Sequence, residues 1–206
     1  MVGTVIRSFP SPGGGPVGLT FDGRCLWNAD LVTGLIYQID PETGTVIRSF
    51  AAPKWDTSGL TFDGRCLWIT DDTANLIYQI DPETGTVIRS VASPATASKG
   101  LTFDGRCLWI TDVGADRIYQ IDPETGTGIR SFASPGAVPL GLAFDGRCLW
   151  NADEGANLIY QIDPETGTAI RSVSVPAWNS WGLAFDGRCL WITDVGADRI
   201  YQLSAL

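Results

Sequence analysis

The stretch Gly18–Trp27, GLTFDGRCLW, decides the fold because nearly the same ten residues return four more times. The copies begin at residues 18, 59, 100, 141 and 182, so the repeat has a constant length of 41 residues. Five such repeats account for almost all of the 206 residues. A fixed period of roughly 40 residues is typical of repeat proteins, in which each unit buries its apolar residues against its neighbours.

Each repeat contains four short apolar runs that are separated by turn residues. In the second repeat the runs are residues 59–62, 65–70, 76–80 and 86–91. Asp63-Gly64 between the first two runs predicts a type I′ hairpin turn with positive φ at both central residues. The sequence Asp-Pro-Glu-Thr-Gly at 81–85 predicts a longer hairpin loop. The repeat therefore predicts four antiparallel strands, which we call a to d, and no helix.

Four strands in each of several 41-residue units predict an all-β fold, a five-bladed β-propeller that forms a single domain. The last repeat stops after its strand c, and residues 3–9 match strand d of the first repeat at 44–50. We therefore expect the N-terminal strand to complete the last blade and close the ring. The predicted blades are residues 18–58, 59–99, 100–140, 141–181, and 182–206 together with 1–17.

Composition limits the classes of function. The net charge is −9 with a pI near 4.3, which disfavours nucleic-acid binding because that requires a basic surface. No apolar run is long enough to span a membrane, and the first residues already form a strand instead of a secretory signal. We expect a cytoplasmic monomer without a cofactor.

The five cysteines occupy one equivalent position in each repeat: Cys25, Cys66, Cys107, Cys148 and Cys189. Packed sheets lie about 10 Å apart, beyond the reach of a disulfide. We therefore expect five buried, unpaired thiols, which fit a reducing compartment. A zinc site is disfavoured because the ligands would have to converge and the chain has no histidine.

Comparison of the repeats predicts two different ends of the ring. The a–b and c–d turns are nearly identical in every copy, and we call the end that they form the turn face. The b–c and d–a loops vary, and they form the opposite end, the loop face. Function concentrates on loops carried by a rigid scaffold, although unconstrained drift would also produce such variation.

Three tryptophans have no equivalents in other repeats, and all of them lie in d–a loops: Trp55, Trp178 and Trp181. Together with Lys54 and Asp56 they form the candidate site for a small molecule or a glycan on the loop face. The alternative is that these rings fill gaps between loops. The chain has one further lysine, Lys99, on the same face.

An aspartate ends strand b in each repeat: Asp30, Asp71, Asp112, Asp153 and Asp194. Five carboxylates on one rim are weak candidates for a cation site. The favoured interpretation is that each accepts backbone N–H bonds and shapes its turn. Arg117 and Arg199 follow Asp116 and Asp198, and local ion pairs between them are expected at the rim.

The segment Ile110–Asp122, ITDVGADRIYQID, resembles the repeats of NHL and YVTN-type propellers. Streptogramin lyases are similar at the same level. The resemblance covers all five repeats and implies a propeller fold. The lyase family relies on a catalytic histidine that this sequence lacks.

The absence of histidine and of familiar nucleophile, phosphate-loop or metalloprotease motifs predicts a non-enzymatic scaffold or binding module. The near identity of the repeats indicates a recently amplified natural sequence or an engineered protein. A carbohydrate-binding lectin that uses the loop tryptophans is one alternative. A lyase or hydrolase with a carboxylate-based site is a second alternative.

Overall fold

The computed structural model describes residues 3–175 and 179–204, which form five four-stranded antiparallel sheets. The innermost strands of successive sheets contact one another, and the last contacts the first, so the sheets form a closed ring. The chain is therefore a five-bladed β-propeller, as the repeat predicted. None of the described residues forms a helix, so this part of the chain contains no helix that could cross a membrane.

Twenty strands make up the ring. The N-terminal strand is β1 (Val5–Pro10), and blade 1 contains β2 (Pro16–Phe21), β3 (Leu26–Asp30), β4 (Leu35–Ile39) and β5 (Val46–Ala51). Blade 2 contains β6 (Thr57–Phe62), β7 (Leu67–Asp71), β8 (Leu76–Ile80) and β9 (Val87–Ala92). Blade 3 contains β10 (Ser98–Phe103), β11 (Leu108–Asp112), β12 (Arg117–Ile121) and β13 (Gly128–Ala133). Blade 4 contains β14 (Pro139–Phe144), β15 (Leu149–Asp153), β16 (Leu158–Ile162) and β17 (Ala169–Ser174). Blade 5 contains β18 (Ser180–Phe185), β19 (Cys189–Asp194) and β20 (Arg199–Ser204), and β1 completes it.

The N-terminal strand closes the ring as the sequence predicted. Strand β1 pairs with β20 in antiparallel register, and Phe9 lies opposite Ile200. Phe9 is buried and its ring packs 5.9 Å from that of Trp191 in the same blade. The closing strand therefore contributes both ladder hydrogen bonds and apolar core to blade 5.

The core lies between the blades and is built from the same residues five times. Each strand-b tryptophan belongs to a buried cluster that contains two leucines of the next blade. The sets are Trp27 with Leu60 and Leu67, Trp68 with Leu101 and Leu108, Trp109 with Leu142 and Leu149, Trp150 with Leu183 and Leu190, and Trp191 with Leu19 and Leu26. No blade buries its apolar faces alone, which is why the repeats must assemble as a ring.

The a–b turns differ from the predicted type I′ geometry. In blade 1 the strands pair at Phe21 and Leu26, which leaves a four-residue loop between them, and among its residues only Gly23 has positive φ. The reason is that Asp22 accepts hydrogen bonds with its side chain: Oδ1 from the backbone N–H groups of Arg24 and Cys25, and Oδ2 from the indole of Trp27 at 2.7 Å. These three bonds recur in every blade and tie each turn to the core.

The cysteines are all buried and none is paired, as the sequence predicted. Burial raises the pKa of each of the five thiols, and a neighbouring turn aspartate contributes in the same direction. A raised pKa keeps the thiol protonated and therefore poorly reactive.

A β-bulge in strand a positions the residues around the ring axis. In blade 3, Ser98 pairs with Asp112 and Leu101 with Ile110, and the register shifts between these two pairs. The Thr111 hydroxyl accepts a hydrogen bond from the Gly100 N–H at 2.6 Å and satisfies the bulged backbone. The bulge therefore fixes the position before each repeated glycine at the loop-face end of the axis.

Candidate functional site

The mouth of the axis on the loop face is the place where the five blades differ most. The residues before the five repeated glycines are Val17, Ser58, Lys99, Leu140 and Trp181. A Cβ on any of these glycines would collide with the backbone of the next blade, so the strands approach too closely for another residue. The five inner strands therefore keep the same close backbone approach, whereas the position before the glycine carries a different side chain in each blade.

The axis itself is closed below this mouth. The space enclosed by the glycines and by the leucines that follow them has a volume of only about 10 Å³. On the turn side of the same leucines lies a cavity of about 80 Å³ that the threonines of strand a also line. A ligand on the loop face therefore rests on the mouth and does not enter a channel.

One charged pair lies at this mouth. Lys99 Nζ donates to Asp72 Oδ2 at 2.6 Å, and the two side chains are only 20% and 19% exposed. The same ammonium group lies 5.6 Å from the centre of the Trp181 ring. The Trp181 indole donates to the Asn179 side chain at 2.9 Å, which fixes the orientation of the ring. Side chains from three blades thus meet at one point.

The second oxygen of Asp72 has no partner. Among the described residues, Asp72 Oδ1 is the one buried side-chain nitrogen or oxygen atom without a hydrogen bond. An unpaired buried acceptor is costly, and such atoms are rare in folded proteins. Asp72 therefore keeps one buried oxygen that no hydrogen-bond donor of the described residues satisfies.

The predicted site residues divide between this mouth and the outer loop. Trp181 lies at the mouth, whereas Lys54, Trp55 and Asp56 are exposed in the loop before β6. Trp55 is 73% exposed and packs against Gly34 of blade 1, where a Cβ would touch its ring. Asp56 accepts a hydrogen bond from the Thr73 hydroxyl, and its carbonyl accepts one from the Asp72 N–H at 3.2 Å. Trp178 lies outside the described residues.

The five rim aspartates shape their turns, which confirms the favoured interpretation. Asp112, for example, accepts hydrogen bonds from the N–H groups of Thr96, Gly114 and Ala115. The others make similar backbone contacts: Asp30, Asp71, Asp153 and Asp194. Within residues 3–175 and 179–204, no three His, Cys, Asp or Glu side chains are grouped so that they could hold a metal ion.

The expected ion pairs of Arg117 and Arg199 are not formed. Arg117 donates to the Ser131 hydroxyl at 2.9 Å, and Arg199 donates to the Ser8 hydroxyl at 2.9 Å. Asp116 and Asp198 have φ values of 51° and 50°, which places them in the left-handed region of the b–c turn. The prediction was wrong because the arginines lie on strand c and extend across to strand d.

The two faces differ in charge. The loop face carries ten Asp and Glu against four Lys and Arg, a net charge of −6. The turn face carries thirteen against ten, a net charge of −3, so the two together give the total of −9. Two thirds of the net negative charge therefore lies on the loop face, where it favours cationic ligands.

The sequence pattern did not predict that Asp72 belongs to the candidate site or that it contacts Lys99. Both are visible as departures from the repeat. Asp72 follows the strand-b aspartate where the other blades have Leu31, Val113, Glu154 and Val195, and Lys99 occupies a position that is otherwise uncharged. The sequence could not reveal their contact because the residues lie 27 positions apart in different blades.

Comparison with solved structures reveals similar propellers. A glutaminyl cyclase from Myxococcus xanthus superposes with a TM-score of 0.81 at 17% identity, covering 98% of this chain and 97% of that one. A virginiamycin B lyase from Staphylococcus aureus gives 0.58 at 24% identity, covering 96% and 69%. The propeller in a nidogen/laminin complex gives 0.69 at 18% identity, covering 92% and 76%. No protein-family model matches the sequence, and no curated protein matches it.

These likenesses define the class of protein. The chain is a five-bladed β-propeller of the kind that the NHL and YVTN resemblance predicted. The prediction of a non-enzymatic scaffold or binding module was wrong, because nearly the whole ring matches nearly the whole of an enzyme. Structurally similar proteins include at least two enzymes, so the lack of the usual motifs does not make this fold a scaffold.

Proposed function

We propose that the chain is an enzyme that acts on a small substrate carrying an amine and an amide carbonyl, bound at the axial mouth of the loop face. The observation that carries this proposal is the unpaired, buried Oδ1 of Asp72, in a carboxylate whose other oxygen accepts a bond from Lys99. A carboxylate and an ammonium group side by side supply both partners for proton transfer and charge stabilisation.

The chemistry of the site favours a nitrogen donor as the ligand group. Asp72 Oδ1 can accept a hydrogen bond from an N–H of the substrate. The net charge of −6 on this face attracts an ammonium group, and the Trp181 ring offers a surface for the apolar part of the substrate. Because the axis below is closed, the substrate is a small group or a chain terminus that rests on the mouth.

The reaction that uses both groups is attack of the amine on a carbonyl carbon within the same molecule. A bond forms between the amine nitrogen and the carbonyl carbon, the original amide C–N bond breaks, and ammonia leaves. The bound ammonium group first releases one proton to water and becomes the neutral amine; Asp72 then takes a proton from the attacking nitrogen and returns it to the leaving nitrogen. Lys99 donates a hydrogen bond to the carbonyl oxygen as negative charge develops on it.

Cyclisation of an N-terminal glutamine is the first reaction to test, because the similar Myxococcus protein is a glutaminyl cyclase. Purified protein is incubated with a short peptide that begins with glutamine, and ammonia release and peptide mass are followed. The same peptide with an acetylated amine serves as the substrate control, since its nitrogen cannot attack. We expect turnover of the free peptide alone.

Three variants test the assigned roles. Asp72→Asn removes the proton acceptor and is expected to lower kcat about 100-fold or more. Lys99→Met removes the hydrogen-bond donor to the carbonyl oxygen and is expected to lower kcat about 100-fold. Lys54→Met removes the only other lysine, which is exposed on the same face, and is expected to leave the rate unchanged. The proposal fails if the wild-type protein releases no ammonia, or if Asp72→Asn is as active as the wild type.

A further inference from the structure

The turn face carries grooves that repeat from blade to blade. Three of them lie between blades 2 and 3, 3 and 4, and 5 and 1, with volumes of about 490, 540 and 410 Å³. The first is lined by Arg65 and Trp68 of one blade and by Phe103, Pro123 and Glu124 of the next, and the other two contain the same residue types. We call these the inter-blade grooves. They lie at the opposite end of the ring from the axial mouth.

The strongest acceptors in these grooves already have partners. Both oxygens of Asp63 accept hydrogen bonds, from the N–H groups of Arg65 and Cys66 and from the Trp68 indole. Both oxygens of Glu124 accept from Arg89 of the neighbouring blade, at 2.8 and 2.9 Å. The carboxylate oxygens of these two side chains are therefore already engaged by hydrogen-bond donors of the protein.

The arginines of the a–b turns are not engaged in the same way. Arg65 and Arg106 donate through their backbone N–H groups to Asp63 and Asp104. Their guanidinium groups have no hydrogen-bond or ion-pair partner among residues 3–175 and 179–204, and both residues are exposed. Arg65 and Arg106 come from successive blades, yet both line the groove between blades 2 and 3. The groove also contains the carboxylate of Asp122, which accepts a hydrogen bond from the Glu124 N–H, so its charged lining is mixed and the two guanidinium groups are its charged donors without a partner in the described part of the chain.

Each inter-blade groove also contains an exposed isoleucine. Ile129 lies in the first groove and is 55% exposed, Ile170 in the second is 56% exposed, and Ile6 in the third is 54% exposed. A large aliphatic side chain left open to water beside a partly exposed phenylalanine offers area for an apolar ligand group. Each groove therefore combines a site for an anion with a surface for an apolar group.

We propose that the inter-blade grooves bind small organic carboxylates, with the carboxylate on the turn arginines and the apolar portion on the isoleucine and phenylalanine. Guanidinium groups bind carboxylates through paired, charge-assisted hydrogen bonds. Two of the grooves hold a pair of turn arginines, Arg65 with Arg106 and Arg106 with Arg147, and the third holds Arg188, so one chain takes up more than one molecule. This binding is separate from the proposed reaction at the axial mouth and does not depend on it.

The test uses 4-phenylbutyrate as the probe and measures affinity and stoichiometry by isothermal titration calorimetry. We expect more than one equivalent to bind per chain with similar affinity. The neutral alcohol 4-phenylbutanol has the apolar group but no anion, and inorganic phosphate has the anion but no apolar group. Both are expected to bind more weakly than 4-phenylbutyrate. Backbone amide shifts in an NMR titration should appear at the turns that contain Arg65 and Arg106.

Arg106 provides the decisive variant because it lines two of the grooves. Arg106→Gln is expected to weaken binding about tenfold at both. Lys54→Gln removes one positive charge from the opposite face and is the matched control, with unchanged binding expected. Equal affinity in Arg106→Gln, equal binding of the neutral alcohol, or amide shifts confined to the loop face would overturn the proposal.

Discussion

Two aspartates, Asp145 on the turn face and Asp72 on the loop face, are bonded in opposite ways. Asp145 on the turn face accepts hydrogen bonds from Arg147, Cys148 and Trp150, and its equivalents do so in every blade. Asp72 on the loop face stands where the other blades have Leu31, Val113, Glu154 and Val195, pairs with a single lysine and keeps one buried oxygen without a partner. The repeated aspartate has saturated contacts and stabilises the ring, whereas Asp72 departs from the repeat and keeps an acceptor that the fold does not use.

The largest expected effect comes from removing β1, the strand that completes blade 5 and closes the ring. Deletion of residues 1–9 exposes the edge of β20 and removes Phe9 from the core of blade 5. We expect aggregation or oligomerisation and a much lower melting temperature, measured by light scattering after gel filtration and by thermal unfolding. A synthetic peptide of residues 1–11 should restore the monomer. A truncated chain that stays monomeric with unchanged melting would contradict the closed ring.

The second prediction compares the loss of stability when each of the two aspartates is substituted. Asp145→Ala leaves two backbone N–H groups and an indole without their acceptor, and should lower the free energy of unfolding by about 2–4 kcal/mol. Asp72→Asn keeps the size of the side chain and should change it by less than about 1 kcal/mol, while activity falls. Chemical denaturation measures both values. The comparison breaks down if Asp72→Asn is the more destabilising of the two.

The repeat predicted most of the fold from the sequence alone. The period of 41 residues, the four apolar runs and the match between residues 3–9 and 44–50 were sufficient for the blades and the closure. The a–b turn geometry was not predictable from Asp-Gly, since the Asp22 side chain binds the backbone and the Trp27 indole and opens the turn to four residues. Side-chain hydrogen bonds can override local turn preference.

The candidate site was only half predictable. Internal comparison pointed to the loop face and to Trp181, which does lie at the axial mouth. It also grouped Trp55 with Trp181, although Trp55 packs on Gly34 in the outer part of the face. The Lys99–Asp72 contact depends on how neighbouring blades are juxtaposed, and a repeat pattern carries no information about contacts made by residues that break it.

The third prediction separates the two described tryptophans of the loop face, Trp55 in the loop before β6 and Trp181 in β18. Trp181→Ala removes the ring that lies 5.6 Å from the Lys99 ammonium and should raise the KM of the substrate about fivefold. Trp55→Ala, at a residue 73% exposed, should have a smaller effect. Steady-state kinetics with the glutamine peptide measure both. Undiminished affinity in a variant that lacks both rings would exclude them from the site.

The smallest expected effect concerns an ion pair of the turn face. A hydrogen bond from Arg48 lowers the pKa of Glu83 below its ordinary 4.5, so the folded state favours the charged carboxylate. The stabilisation is present above the unfolded pKa and is lost as the pH falls through the lowered folded value. Glu83→Gln should therefore melt slightly below the wild type at neutral pH, and the difference should shrink below pH 4.5.

Glu154→Gln provides the matched control for this pH dependence. Glu154 lies in a b–c turn of the loop face and has no ion pair among the described residues. This substitution removes the same charge without breaking an ion pair. We therefore expect the melting temperature of Glu154→Gln to lie close to that of the wild type both at neutral pH and in acid. A pH dependence of equal size in both variants would mean that total charge, and not the Arg48 contact, controls the effect.

The pairing of β1 with β20 has a consequence for the order in which the chain is made. Phe9 leaves the ribosome almost two hundred residues before its partner Ile200, so blade 5 cannot be completed during most of translation. Blades 1 to 4 can form from local hairpins as they emerge, while β1 waits as an unpaired strand. The final ladder joins strands that lie almost two hundred residues apart, and a ribosome that stalls before residue 199 therefore holds an open ring with a free β1.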